Sequence, residues 1–155
     1  MPYGQIPVLS VNGEKVAQSG AIVRFVANSH GLAGSSPIEA ALIDAGFEAV
    51  QDIVKTFFSV RGDAAKLVPF WAGGLAQALT YLNNNVRGST YFAASNKLSY
   101  VDIAIYYLIF VLSTENKEAV DIAVKQNAKI AAIFEAVTKD EKIAAYLAKR
   151  KDTPM

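Results

Sequence analysis

From position 19 onward the apolar residues recur with helical spacing, whereas the first eighteen positions read as two short strands. The strand segments are residues 6–11 and 14–18, and they flank Asn12-Gly13. That dipeptide tolerates the positive φ angles of a type I′ hairpin turn. Pro7 interrupts the first strand and cannot donate to a ladder, so the strand is an edge there or keeps one face for another purpose. Ser19 is a candidate N-cap for a helix with Ala21, Ile22, Phe25 and Val26 as its apolar stripe and Gly31 at its C′ position. Residues 31–36 form a loop-like stretch and the best domain boundary.

Everything beyond that boundary reads as helix. Ser36-Pro37-Ile38-Glu39 supplies a cap, a proline at N1 and a glutamate at N3, the pattern of a capping box. The helix it opens runs to about residue 60, with Leu42, Ile43, Phe47, Val50, Val54 and Phe57 on one face. Gly46 in its middle costs about 1 kcal/mol relative to alanine and points to close packing against another helix. A second long helix is expected over 64–85, ended by three asparagines and the Arg87-Gly88 turn. Ser99-Tyr100-Val101-Asp102 opens the most apolar helix, and shorter ones follow over 117–126, 128–137 and 140–149. The fold class is therefore α+β and mostly helical: a βα unit over 1–31 and an all-α bundle over 36–155. A hairpin with one helix is not stable in isolation, so the first unit leans on the bundle or needs further strands.

Composition narrows the chemistry. Of 155 residues, 52% are hydrophobic and 19% charged, which is globular rather than disordered. The net charge is +1 and no basic patch is interleaved with aromatics, so no nucleic-acid partner is expected. The absence of cysteine excludes disulfides and thiolate metal sites, and a single histidine leaves little scope for any metal. The run 103–112 is too short to span a bilayer and is broken by Tyr106 and Tyr107. With no signal-peptide pattern at the start, the expectation is a cytoplasmic protein without a membrane partner.

The ordered run from Pro2 to Ala27 carries more: proline, aromatic, Gly-Gln, aliphatic, Pro-Val-Leu, an Asn-Gly hairpin, then Gln-Ser at a helix start. It resembles the second half of the N-terminal domain of the glutathione transferase family, in its sigma-like (prostaglandin D synthase-like) classes. Ser99-x-x-Asp102 after Leu98 is similar to that family's buried capping box. The resemblance implies a partial thioredoxin-like unit followed by a helical domain, assembled as a homodimer. It implies a cis bond before Pro7, which would present the backbone of Ile6 to the cysteinyl unit of glutathione. Gln18 and Ser19 would hold the γ-glutamyl carboxylate, a role suited to free N–H groups and the dipole of a helix start. Gln5 would lie at the glycyl end, and Asp52 would reach across the dimer to the glutathione amino group. Val54, Phe58, Ala104 and Leu108 would wall the hydrophobic-substrate site.

The family's first strand, first helix and second strand precede this motif and carry the tyrosine or serine that lowers the thiol pKa. Their absence from the chain implies an N-terminally truncated member whose thiol-activating residue lies outside these 155 residues. Three readings stay open. One is an enzyme that, in complete form, conjugates the glutathione thiol to small electrophiles. Another is a non-catalytic binding or structural protein of the same fold. The third is a chain that completes its sheet by exchange with a neighbour. Glutathione is the expected co-substrate, and no metal is expected.

Overall fold

A hairpin and its helix sit on one flank of a helical bundle in the computed structural model, which describes residues 1–151. Residues 152–155, the end of the expected helical domain, lie outside the described residues. A single 3-10 turn, Pro2–Gly4, leads into β1 (Val8–Val11) and β2 (Glu14–Ala17), paired antiparallel with Val8 opposite Ala17 and Val11 opposite Glu14. Asn12 and Gly13 adopt φ of 52° and 87°, the expected I′ signature. Both strands are shorter than the sequence suggests. β1 starts only after Pro7, which has no N–H to give, and β2 stops at Ala17 because Gln18 takes φ 73°.

Helix α1 (Ser19–Ser29) follows at once. Ser19 is its first helical residue and not the N-cap; Gln18 occupies that place, and no side chain caps this end. Gly31, with φ 70°, closes the far end as expected. Helix α2 (Pro37–Val60) begins at Ser36, whose hydroxyl accepts from the Glu39 N–H. The reciprocal half of the expected box does not form. The Glu39 carboxylate instead accepts from the N–H and hydroxyl of Ser35 and from the N–H of Ser95 at 3.0 Å, which hold its carboxyl down at about 2.

The expected helix over 64–85 is broken into α3 (Ala64–Pro69), a π turn (Phe70–Gly74) and α4 (Leu75–Asn85). Pro69, inside α3, can donate no helical bond, and the π turn begins at the next residue. Conversely, the helices expected from 99 and over 117–126 join in α5 (Tyr100–Lys125) across a kink at Asn116, with φ −153°. Asn116 Oδ1 accepts from the Ala119 N–H at 3.1 Å and so caps the second half. Helices α6 (Ala128–Lys139) and α7 (Glu141–Lys149) finish the bundle. α5 runs through its centre and packs on α2, α4 and α6. Its Val101, Ile105, Leu108 and Leu112 are at most 2% exposed and share one core with the equally buried Ile130, Ile133 and Val137 of α6.

One buried carboxylate organises the start of α5. Asp102 is 0% exposed. Its Oδ1 accepts from the Phe92 N–H at 2.7 Å, and its Oδ2 from the N–H and hydroxyl of Ser99 at 2.8 and 2.6 Å. Burial pushes its carboxyl up, and these accepted bonds oppose the shift. The Phe92 ring, thus fixed, lies on Gly46 of α2: a Cβ there would stand 2.6 Å from Cζ. This is the close helix approach that a mid-helix glycine suggests.

Two outcomes follow. Asp102→Asn places an amide where one carboxylate oxygen meets donors, and unfolding in urea should show a loss of about 3 kcal/mol. Gly46→Ala gains about 1 kcal/mol of helix propensity. It should nonetheless destabilise by a net 1–2 kcal/mol or so, because the new Cβ would stand 2.6 Å from the Phe92 ring, which must leave its packed position on α2.

Candidate functional site

Hairpin register decides which residues meet. Because Val8 faces Ala17, the residues just before β1 and just after β2 come together at the open end of the hairpin. Those residues are Ile6-Pro7 and Gln18-Ser19. The Ile6–Pro7 peptide bond is cis. Ile6 is 79% exposed, and Gln5 before it is exposed and extended (φ −126°, ψ 161°). Gln18 is held at φ 73°, ψ 118°, a conformation rare for a residue with a Cβ and one that collects at functional sites. Its carbonyl accepts the first helical bond, from the Ile22 N–H at 3.0 Å. With no side chain capping it, the start of α1 presents N–H donors and the positive end of a helix dipole to an exposed surface. Five of the expected glutathione-binding residues, Gln5, Ile6, Pro7, Gln18 and Ser19, thus lie exposed together at the open end of the hairpin, the candidate cradle.

Asp52 lies elsewhere in the chain, on the exposed side of α2. Among the described residues its carboxylate pairs only with Lys55, at 3.3 Å on its own helix. It stands at the rim of a cavity of about 600 Å³ between α2 and the α3–α4 arm, walled by Ala45, Gly46, Ala49, Ile53, Phe70 and Phe92. The sequence gives little warning of this cavity beyond Gly46. It forms because small residues recur on one face of α2 while the π turn after Pro69 carries the opposite wall.

The four residues expected to wall a hydrophobic-substrate site are not gathered in that cavity. Phe58 is 56% exposed, with the Arg61 guanidinium 5.7 Å from its ring centroid. Val54 and Ala104 are half-buried against the core. Leu108 is 2% exposed and packs as a core residue, because its turn of α5 faces the bundle centre.

Electrostatically, the strongest feature near the cradle is Arg24 on α1. It donates from Nε to Asp44 at 2.6 Å and from Nη2 to Glu48, and these α2 partners, Glu48 foremost, raise its pKa further. Tyr100 on α5 donates to the same Asp44 at 2.9 Å; burial, then this bond, raises the phenol. Spacing alone did not single out Arg24, since an arginine on an amphipathic helix reads as a solvated residue.

Comparison with known proteins bears on this geometry. The glutathione S-transferase N-terminal domain family matches residues 1–28, and the C-terminal domain family matches residues 48–150. The chain is 30% identical to glutathione S-transferase P 10 of Caenorhabditis elegans, across 97% of this chain and 71% of that protein. It is 42% identical over 57 residues to hematopoietic prostaglandin D synthase of Gallus gallus, covering 37% of this chain and 29% of that one. Among solved structures, monomeric Na-GST-3, a glutathione S-transferase from the hookworm Necator americanus, superposes with a TM-score of 0.86 at 28% identity. That match spans 100% of this chain and 78% of the other. Prostaglandin synthase D of Nilaparvata lugens matches with a TM-score of 0.84 at 26% identity, over 98% and 77% of the two chains. Both halves of the sequence and the whole fold agree, and the chain belongs to the glutathione S-transferase family.

Proposed function

We propose that this chain binds glutathione in the cradle formed by Gln5, Ile6, Pro7, Gln18 and Ser19, as part of a protein that conjugates the glutathione thiol to small electrophiles. The observation that carries this reading is the hairpin register, which sets the exposed residues Gln5, Ile6 and Pro7 beside an uncapped helix start. The extended backbone of Gln5 and the exposed backbone of Ile6 after it offer hydrogen-bonding groups to a peptide lying alongside them. The γ-glutamyl carboxylate is taken by the N–H groups at the start of α1 together with the Ser19 hydroxyl, where the helix dipole favours negative charge. Gln18 turns its backbone into that position through its positive φ. The residue that activates the thiol is not assigned within these 155 residues. The division into a glutathione-binding unit over 1–31 and a helical unit over 36–155 forms part of the same reading.

The proposed assembly is a homodimer in which the apolar cavity between α2 and the α3–α4 arm receives the second protomer. An exposed, largely apolar cavity supports it, as does Asp52 on the rim, whose exposed carboxylate carries only a surface pair with Lys55 among the described residues. Phe58, with Val54 and Ala104 behind it, remains the accessible wall proposed for the electrophile.

Retention on immobilised glutathione tests the cradle. The wild-type chain should be retained and eluted by free glutathione, and Gln18→Ala with Ser19→Ala should weaken binding about tenfold or more. Unchanged retention of the double variant would place the ligand elsewhere. Turnover of a chromogenic electrophile, measured in parallel, separates conjugation from binding alone. Sedimentation equilibrium tests the assembly: a species of twice 16.6 kDa is expected. Ala49→Arg, placed in the cavity wall, should return it to the monomer with its helical content intact.

A further inference from the structure

Apolar packing seats α1 only lightly. Ala27 is its one buried residue. Phe25 and Val26 remain 43% and 41% exposed. Among the described residues, the side-chain hydrogen bonds joining α1 to α2 both come from Arg24: Nε to Asp44 and Nη2 to Glu48. The guanidinium also stands 5.3 Å from the Phe47 ring centroid, and Tyr100 reaches the shared Asp44 from α5. Three helices therefore converge on one cation.

That cation is placed beside the cradle. The Arg24 side chain runs back toward the start of its own helix, the direction helical side chains favour. Its Nη1 lies 2.8 Å from where a Cβ on residue 20 would stand, a space that is open because residue 20 is glycine. Gly20 immediately follows Ser19. A guanidinium thus covers the flank of the first helical turn, with the carboxylates of Asp44 and Glu48 gathered on it from α2.

We infer that Arg24 is a positioning residue for the γ-glutamyl carboxylate of glutathione, holding the first turn of α1 on α2 and neutralising the two α2 carboxylates that would otherwise repel that ligand group. The inference rests on the proposed glutathione cradle and adds to it the group that sets its electrostatics. Its signature is chemical. Loss of the cation leaves two uncompensated negative charges near an anion site, so the penalty falls on the ligand's own carboxylate. A helix that was merely loosened would bind every ligand of the cradle less well, whatever its charge.

Titration calorimetry on the full chain reads this directly with two probes. One is glutathione; the other is γ-aminobutyryl-cysteinyl-glycine, the same tripeptide without the α-carboxylate of its first residue. Arg24→Met should weaken glutathione about tenfold and the analogue by no more than about twofold. Arg24→Lys, which keeps the charge but not the fork, should stay within about threefold of wild type for glutathione. Gly20→Ala gives an independent arm. Its methyl group must push the guanidinium aside while every charge is kept, so glutathione should weaken about threefold without a lower melting temperature. Equal losses for both probes in Arg24→Met, or no loss, overturn the inference. If that variant does not fold, full glutathione affinity in Gly20→Ala overturns it instead. Wild-type protein that binds neither probe overturns the proposed function and this inference together; wild-type binding that is indifferent to Arg24 removes the inference alone.

Discussion

The Asp102 carboxylate is the constraint on which the rest of the structure hangs. A group 0% exposed is costly to bury unless its oxygens are filled, and here donors from Phe92 and Ser99 fill them. Those bonds start α5 and, at the same time, pin a loop that arrives from α4. Pinning the loop sets the Phe92 ring against Gly46, which fixes how closely α2 approaches. Because α5 passes through the centre of the bundle, the position of α2, α4 and α6 is referred back to this one capped turn. A surface ion pair could not serve in its place, since exposed pairs contribute little and tolerate many geometries.

Much of this was legible in the sequence, for identifiable reasons. The Asn12-Gly13 turn, the Ser36-Pro37 start of α2, the Gly31 stop and the Ser99–Asp102 capping turn are local: few-residue patterns whose backbone demands do not depend on distant contacts. The close approach at Gly46 was visible because a glycine in a helix interior is unfavourable without a packing reason. What was not legible depended on partners far away in sequence. Glu39 has the right spacing for a reciprocal box, yet Ser95, 56 residues on, competes for its carboxylate. The break after Pro69 was underestimated because apolar spacing continues through it into α4, and the join at Asn116 went the other way because the kinked residue caps its own continuation.

The candidate site divides along the same line. The proximity of the residues proposed for the cradle could be read from a linear motif because they are only about a dozen residues apart and a two-residue turn fixes their register. Ser19 was expected as a cap, whereas the strained backbone belongs to Gln18; both assignments satisfy the same spacing, and only the φ angle separates them. The residues proposed for a substrate wall span α2 and α5, and their geometry depends on which turn of each helix faces outward. Leu108 entered that wall through the family resemblance alone, and in this chain its side chain is buried in the bundle core.

Placement of the cradle and placement of the apolar cavity are coupled through α2. Its one flank carries Asp44 and Glu48 toward α1, and its neighbouring flank carries Ala45, Gly46, Ala49 and Asp52 along the cavity. Phe92 belongs to both stories: it lines the cavity, and its backbone is held by Asp102. A shift of α2 along its axis would therefore move the carboxylates that seat α1 and the cavity wall proposed for assembly in the same step. The buried ring on Gly46 resists such a shift, because moving α2 would bring a side chain with a Cβ against the ring that now sits on the glycine. In this way a capping interaction inside the helical bundle keeps the proposed ligand cradle on its far flank in register with the surface proposed for assembly.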